Sequence, residues 1–184
     1  MTEKDLFGKQ VRKKRTRLEI LLAKADRDSL PERVERLRYL RRVVPNRLGM
    51  AGSMEHIFTF NEAQAAFLNG QYIGTLLLAQ AFVERLLQSE MNHRGYPGAT
   101  RGLKYIVKYC TDNQLLPLSA LRKIDHLRKI RNPFAHLKPY DYPYNLSQRI
   151  FERLKEFRDP EQMLFDDAKE AISVMIMVLF LKMG

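Results

Sequence analysis

The residues best suited to chemistry stand in one short string, Arg131-Asn132-Pro133-Phe134-Ala135-His136. An imidazole titrates near neutrality, so a histidine can give or take a proton at physiological pH. A guanidinium can grip two phosphoryl oxygens at once. Together these types suit proton transfer beside a bound anion. The upstream pattern predicts a helix opening at Pro117 and reaching to about Asn132, where Pro133 breaks its hydrogen-bond ladder. On that helix Arg131 shares a face with Ile124 and Leu127. An arginine on an apolar face needs a partner or an interface. A second anomaly lies on the helix predicted over residues 71–93. Its main apolar stripe is Tyr72, Leu76, Ala79, Val83 and Leu86, and a second runs through Ile73, Leu77 and Met91, with Glu84 in line. The two anomalies predict a Glu84–Arg131 pair. Such a pair either ties two helices together or holds the guanidinium in place for chemistry.

Other chemistry-bearing residues are fewer. His126 follows Asp125 on a helix and reads as a surface or helix-pairing residue, and His56 and His93 fall near predicted helix ends. Tyr140, Tyr142 and Tyr144 alternate after His136, with Lys138 among them. They either pack over the helices or stack unpaired bases. The single cysteine, Cys110, excludes an internal disulfide and any zinc site with two thiolates. No cluster of His, Cys, Asp and Glu has ligand spacing, so no metal or other cofactor is expected.

The elements that must position these residues are helical nearly throughout. The chain of 184 residues predicts basic helices over 8–25 and 31–44, the second opening at Ser29 and Pro31, and a linker over 45–53. Thr59 and Glu62 have capping-box spacing, which predicts a helix start near Phe60. Asn69-Gly70 ends or bends that helix, and 71–93, 100–113 and 117–132 follow. A loop over 137–145 leads to a helix capped by Ser147, and Asp159-Pro160 opens the last one. No second copy of any unit recurs at a repeat period. The expectation is an all-α, up-and-down helical bundle over residues 59–184, with a basic helical extension and linker over 1–58.

Charge sharpens this division. Of the net charge of +11, residues 1–48 carry +8. Such an imbalance predicts a polyanionic partner, nucleic acid ahead of a membrane surface, or else a solvated face. The candidate phosphate-gripping residues are Lys13, Lys14, Arg15, Arg17, Arg36, Arg38, Arg41 and Arg42. The longest apolar run covers residues 172–181, too short for a span of ~20 residues, so no membrane partner is expected. No secretory signal is read at the N-terminus, and the lone thiol suits a reducing cytoplasm.

The string RNPFAH resembles the R-x4-6-H motif of the HEPN superfamily, in which a polar residue, often Asn, follows the arginine. The context is similar too: "LRKIRN" closes a long helix before "AH", and "GQYIGTLLLAQAFVERLL" forms an upstream helix. The resemblance covers roughly residues 59–184. It implies a helical bundle that forms a homodimer and, in active members, a metal-independent endoribonuclease. Arg131, Asn132 and His136 would then be catalytic, with Glu84 in support and RNA held by the basic extension together with Lys138 and Tyr140. Cleavage by the RNA's own 2′-OH needs a base, an acid for the leaving 5′-oxygen and positive charge on the phosphorane. Each chain supplies one such histidine, so a twofold axis would complete the set. Asn132 would orient His136 or a phosphate oxygen. The implied context is a toxin, an antiviral defence or RNA processing, with an antitoxin or regulatory protein as a further partner. The alternative is a non-catalytic HEPN-like module that dimerises or binds nucleic acid or a partner. A third reading is a nucleic-acid-binding accessory protein working through its N-terminal helices.

Overall fold

The computed structural model describes residues 3–4, 10–11, 15–45, 53–152 and 159–183. Among them are seven helices: α1 (Arg17–Val43), α2 (Met54–Leu68), α3 (Tyr72–His93), α4 (Leu103–Asp112), α5 (Leu118–Ala135), α6 (Leu146–Glu152) and α7 (Pro160–Leu179). The chain is all-α apart from one two-residue ladder, in which β1 (Glu3–Lys4) pairs antiparallel with β2 (Gln10–Val11). Its second strand, Gln10–Val11, falls where the pattern predicts helix over residues 8–25.

Helix α1 is one helix where two are expected. It starts at a capping box that the sequence reading missed: Glu19 N–H donates to Thr16 Oγ1 at 3.2 Å, and Thr16 N–H donates to Glu19 Oε2 at 2.6 Å. Pro31 lies inside it. A proline removes one N–H and crowds one carbonyl, which need not end a helix whose flanking turns are intact. Ser29 does not cap a second start; its hydroxyl donates back to Asp26 O. The first half of α1 stands proud of the bundle, with Leu18, Ile20, Leu21 and Leu22 all more than half exposed. The second half is built in. Leu40 belongs to the core, and the Tyr39 hydroxyl donates to Lys169 O on α7 at 2.8 Å.

Helix α2 begins at Met54, six residues before the predicted start. Thr59 is no cap, because its hydroxyl donates to Glu55 O within the helix at 2.6 Å. The Asn69-Gly70 turn behaves as expected, with Gly70 at φ +75°, a conformation that favours glycine. Helix α3 is central and packs against α2, α4, α5 and α7. Its Leu76, Ala79, Phe82, Val83 and Met91 are completely buried beside Phe67, Ile106, Ile124, Leu127, Ile130, Ile172 and Met175. The second stripe expected on α3 holds at Met91, whereas Ile73 is exposed.

Two arginine clamps that pattern reading missed fix the periphery. Arg149 on α6 grips Asp167 on α7 bidentately, at 2.6 and 2.7 Å, and Asp167 is buried. Arg36, expected among the phosphate-gripping residues, is instead a structural clamp only 5% exposed. Its Nε donates to Leu68 O at 2.9 Å and its Nη1 to the Tyr72 hydroxyl at 3.1 Å. The guanidinium therefore satisfies an end carbonyl of α2 and stands 3.5 Å from where a Gly70 side chain would begin. Buried hydrogen bonds to a charged donor contribute about 1.5–3 kcal/mol each. Arg36→Ala should lower the unfolding free energy by about 3 kcal/mol, whereas Arg38→Ala at an exposed position should change it by less than about 0.5 kcal/mol. Urea titrations of both variants measure the contrast.

Candidate functional site

The candidate site is the C-terminal end of α5, and the helix reaches it by an anchored route. Ile124, Leu127 and Ile130 are fully buried and hold α5 in the bundle. Arg131, next in the chain, is half-buried at the edge of this row. The helix does not stop at Asn132 as predicted. It runs through Pro133 to Ala135, and His136 closes it as the C-cap. Pro133 offers no N–H, yet the turn survives because His136 N–H donates to Asn132 O at 2.9 Å. At His136 the backbone turns extended, φ −143° and ψ 137°.

This turn brings Arg131 and His136 together. Arg131 Nη1 lies 3.5 Å from His136 Nε2. A guanidinium only donates, so a hydrogen bond here needs Nε2 as the acceptor, the tautomer with its ring proton on Nδ1. The imidazole is solvent-exposed. The Arg131 Nε is buried and has no hydrogen-bond partner. The arrangement can hold an anion at the guanidinium with an imidazole in hydrogen-bond range of it.

Glu84 does not join this group, which corrects the expected Glu84–Arg131 pair. Its Oε1 accepts the Leu103 N–H at 3.1 Å, and its Oε2 accepts from Gln80 Nε2 at 3.3 Å. The N-terminus of α4 has no side-chain cap of its own, so the carboxylate from α3 serves one of its orphan amides. Glu84 is therefore a tie between α3 and α4. Asn132 also differs from expectation. With its amide oriented to satisfy both ends, Nδ2 donates to Arg128 O at 3.2 Å and Oδ1 accepts from Arg128 Nη1 at 3.3 Å. Its side chain faces back along α5, and only its backbone carbonyl serves His136.

Asp125 and Arg128 were missed, although their spacing is visible as an i, i+3, i+7 line with Asn132. Asp125 Oδ1 accepts from Arg128 Nε and Nη2 at 2.9 and 2.7 Å, and Lys129 Nζ lies 2.8 Å from Oδ2. The three side chains form a polar rail along α5 that ends at the His136 turn.

The loop after His136 folds back on the same helix. Asn145 Nδ2 donates to Pro139 O and Tyr140 O at 2.7 and 3.1 Å, and Gln148 Nε2 donates to Tyr140 O at 2.9 Å. Tyr144 meets His126 edge-on, with Lys129 over its ring, and Lys138 sits over Tyr142. These two tyrosines pack; Tyr140 is 75% exposed and Leu137 wholly so. His126 pairs with Glu170 of α7 at 3.7 Å, as a helix-pairing residue should. His56 bonds Ser53 and lies edge-on to Phe82, and His93 is exposed in the last turn of α3.

Of the expected phosphate-gripping residues, Lys13 and Lys14 lie outside the described residues. Arg15 and Arg17 are exposed at the start of α1, and Arg38, Arg41 and Arg42 on its second half. None of these five touches Arg131 or His136. Among the described residues no group of His, Cys, Asp and Glu is arranged to hold a metal, and no helix is long and apolar enough to cross a membrane.

Comparison with family models, curated proteins and solved structures finds no match to this chain.

The rail has a pH signature. Burial pushes the Asp125 carboxyl up, but the hydrogen bonds from Lys129 and Arg128 more than reverse this and hold it below its usual value. A carboxyl with a lowered folded-state pKa stabilises the fold above its ordinary value of about 4. That contribution is lost as pH falls through the lowered value. Asp125→Asn should therefore cost on the order of 1 kcal/mol at pH 7 and progressively less toward pH 2. Denaturant titrations across that range check it; an unchanged acid limb in the variant would refute the role given to Asp125.

Proposed function

We propose that this chain is a metal-independent endoribonuclease of HEPN type, acting as a homodimer. The observation that carries the reading is the approach of Arg131 to His136 at the exposed end of α5. The motif that suggested the family is thus compact in space as well as in sequence.

The chemistry follows from the groups. A scissile phosphate gives the guanidinium the oxygen acceptor it lacks, and the arginine then stabilises the charge that grows on the phosphorane. His136 is accessible to the ribose on the exposed side of the turn. Once the phosphate takes over the guanidinium, the His136 Nε2 is released from Arg131 and takes the 2′-OH proton as the 2′-oxygen attacks phosphorus. The P–O5′ bond breaks and the leaving oxygen receives a proton from an acid. The products are a 2′,3′-cyclic phosphate and a 5′-hydroxyl. One chain offers one imidazole at this position, so the second proton transfer falls to a symmetry-related His136 in the dimer. Asn132 contributes the backbone carbonyl that fixes the turn. Tyr140, exposed beside the site, offers a face to an unpaired base.

The competing reading is a non-catalytic RNA-binding module. The observation in its favour is that a single chain holds only one acid–base group here. The two readings separate on total RNA incubated in EDTA with wild type, Arg131→Ala and His136→Ala. The ribonuclease reading expects cleavage by the wild type to 2′,3′-cyclic phosphate ends. Each substitution should reduce it on the order of a hundredfold with helix content retained. Equal decay in all three proteins, or none in any, leaves only the binding module.

A further inference from the structure

The charge on the second half of α1 is not spread evenly, and its partners across the fold were not visible in sequence. Arg38, Tyr39 and Arg42 of α1 face Phe165 and Lys169 of α7 across a groove of about 300 Å³, with Glu35 at its rim. Two aromatic rings form its base and three cations its walls. Lys169 Nζ stands 5.0 Å from the Phe165 ring centre and 5.7 Å from that of Tyr39, and the Arg42 guanidinium lies 5.7 Å from the Tyr39 ring centre. Rings hold these side chains in place without neutralising them. Neither Arg38 nor Arg42 pairs with a carboxylate among the described residues, while Lys169 has only a 3.6 Å contact to the half-exposed Asp166. The groove therefore keeps an excess of positive charge on ordered side chains.

We infer that this α1–α7 groove is a phosphate site that holds the backbone of single-stranded RNA at a point separate from Arg131 and His136. The inference rests on the RNA reading above and adds a second contact to it. The faces of the rings decide what the groove can read. Phe165 stacks on Phe67 and meets Tyr72 on another side, while Tyr39 lies against Phe67. With Lys169 on top, neither ring has a face left for a base. The groove offers charge and no stacking, so it grips phosphate and is indifferent to sequence. Its direction is set by the neighbouring cavity, where Glu32, Glu35, Asp159 and Glu161 outnumber the one cation, Arg36, and repel a phosphate chain. The strand is confined to the Arg38–Arg42 end, next to exposed Arg41.

The test measures binding of a fluorescein-labelled 20-nucleotide single-stranded RNA by anisotropy across a salt series, using His136→Ala protein so that the RNA stays intact. Each lost phosphate contact lowers the slope of log affinity against log salt by about 0.7 for a single strand. The combined Arg38→Gln and Arg42→Gln variant should lower the slope by about 1.4 and weaken binding roughly tenfold or more at low salt, for every RNA sequence tried. The control removes equal charge elsewhere, with Arg122→Gln and Lys123→Gln at exposed positions early in α5. A control slope close to the parent's supports the groove. A slope unchanged in the groove variant, or lowered as much in the control, overturns it. Cleavage by the otherwise wild-type groove variant is scored separately. Cleavage with an unchanged binding slope removes the groove and keeps the ribonuclease. A lowered slope with no cleavage by wild type does the reverse.

Discussion

One hydrogen bond governs the geometry of the candidate site: the His136 amide donating to the Asn132 carbonyl. Pro133 has already removed one donor from this turn, and the helix still runs to Ala135, with Phe134 packed against the core. With the bond in place the chain leaves α5 at His136 and its imidazole lies against Arg131. Without it the C-cap would be open at His136, and the chain would leave α5 in another direction. The helix before the turn is anchored in the bundle. Ile124, Leu127 and Ile130 are sealed in the core, and Asp125, Arg128 and Asn132 brace the polar edge. A site on a rigid helix end is held more precisely than one on a loop.

The same logic explains what was readable in advance. The all-α class was legible because the apolar spacing is helical almost everywhere. Local chemistry was legible where a signal is self-contained: Asp159 caps α7 through the Glu161 amide, with Pro160 in the first turn. The Arg131–His136 string was legible as a motif. Prolines misled in both directions. Pro31 and Pro133 read as boundaries, and both lie inside helices. A proline removes one donor, and whether that ends a helix depends on what the surrounding turns are fixed to, which is a property of the fold. Thr59 misled for a related reason: its hydroxyl bonds back to Glu55 inside a helix that had already begun.

Partners were the least legible quantity. Glu84 on an apolar stripe does imply that the carboxylate is engaged. It does not say whether a cation or a backbone amide engages it, and the amide of Leu103 is the answer. An unsatisfied helix N-terminus carries partial positive charge and is invisible to a search for oppositely charged side chains. Arg149 and Asp167 show the converse, a strong bidentate pair between residues whose spacing suggests nothing.

Net charge suffers from the same blindness. Counting along the chain puts the basic residues of α1 in one class, but position on the helix divides them. Arg36 faces inward and is taken up by Leu68, Tyr72 and Glu32. Arg33 has Asp26 within 3.8 Å. Arg38 and Arg42, a turn apart, have aromatic neighbours and no acidic partner. On α5, Arg128 and Lys129 share Asp125, while Arg131 has only an imidazole beside it. Arg38, Arg42 and Arg131 are thus cations without a carboxylate contact among the described residues that also lie against other side chains, at the α1–α7 groove and at the end of α5. An anion drawn by the chain's overall charge feels a field that is long-range and weakly directional. Where it comes to rest depends on local donors, and the reading proposed above rests on the groove and the end of α5 rather than on the basic N-terminal count.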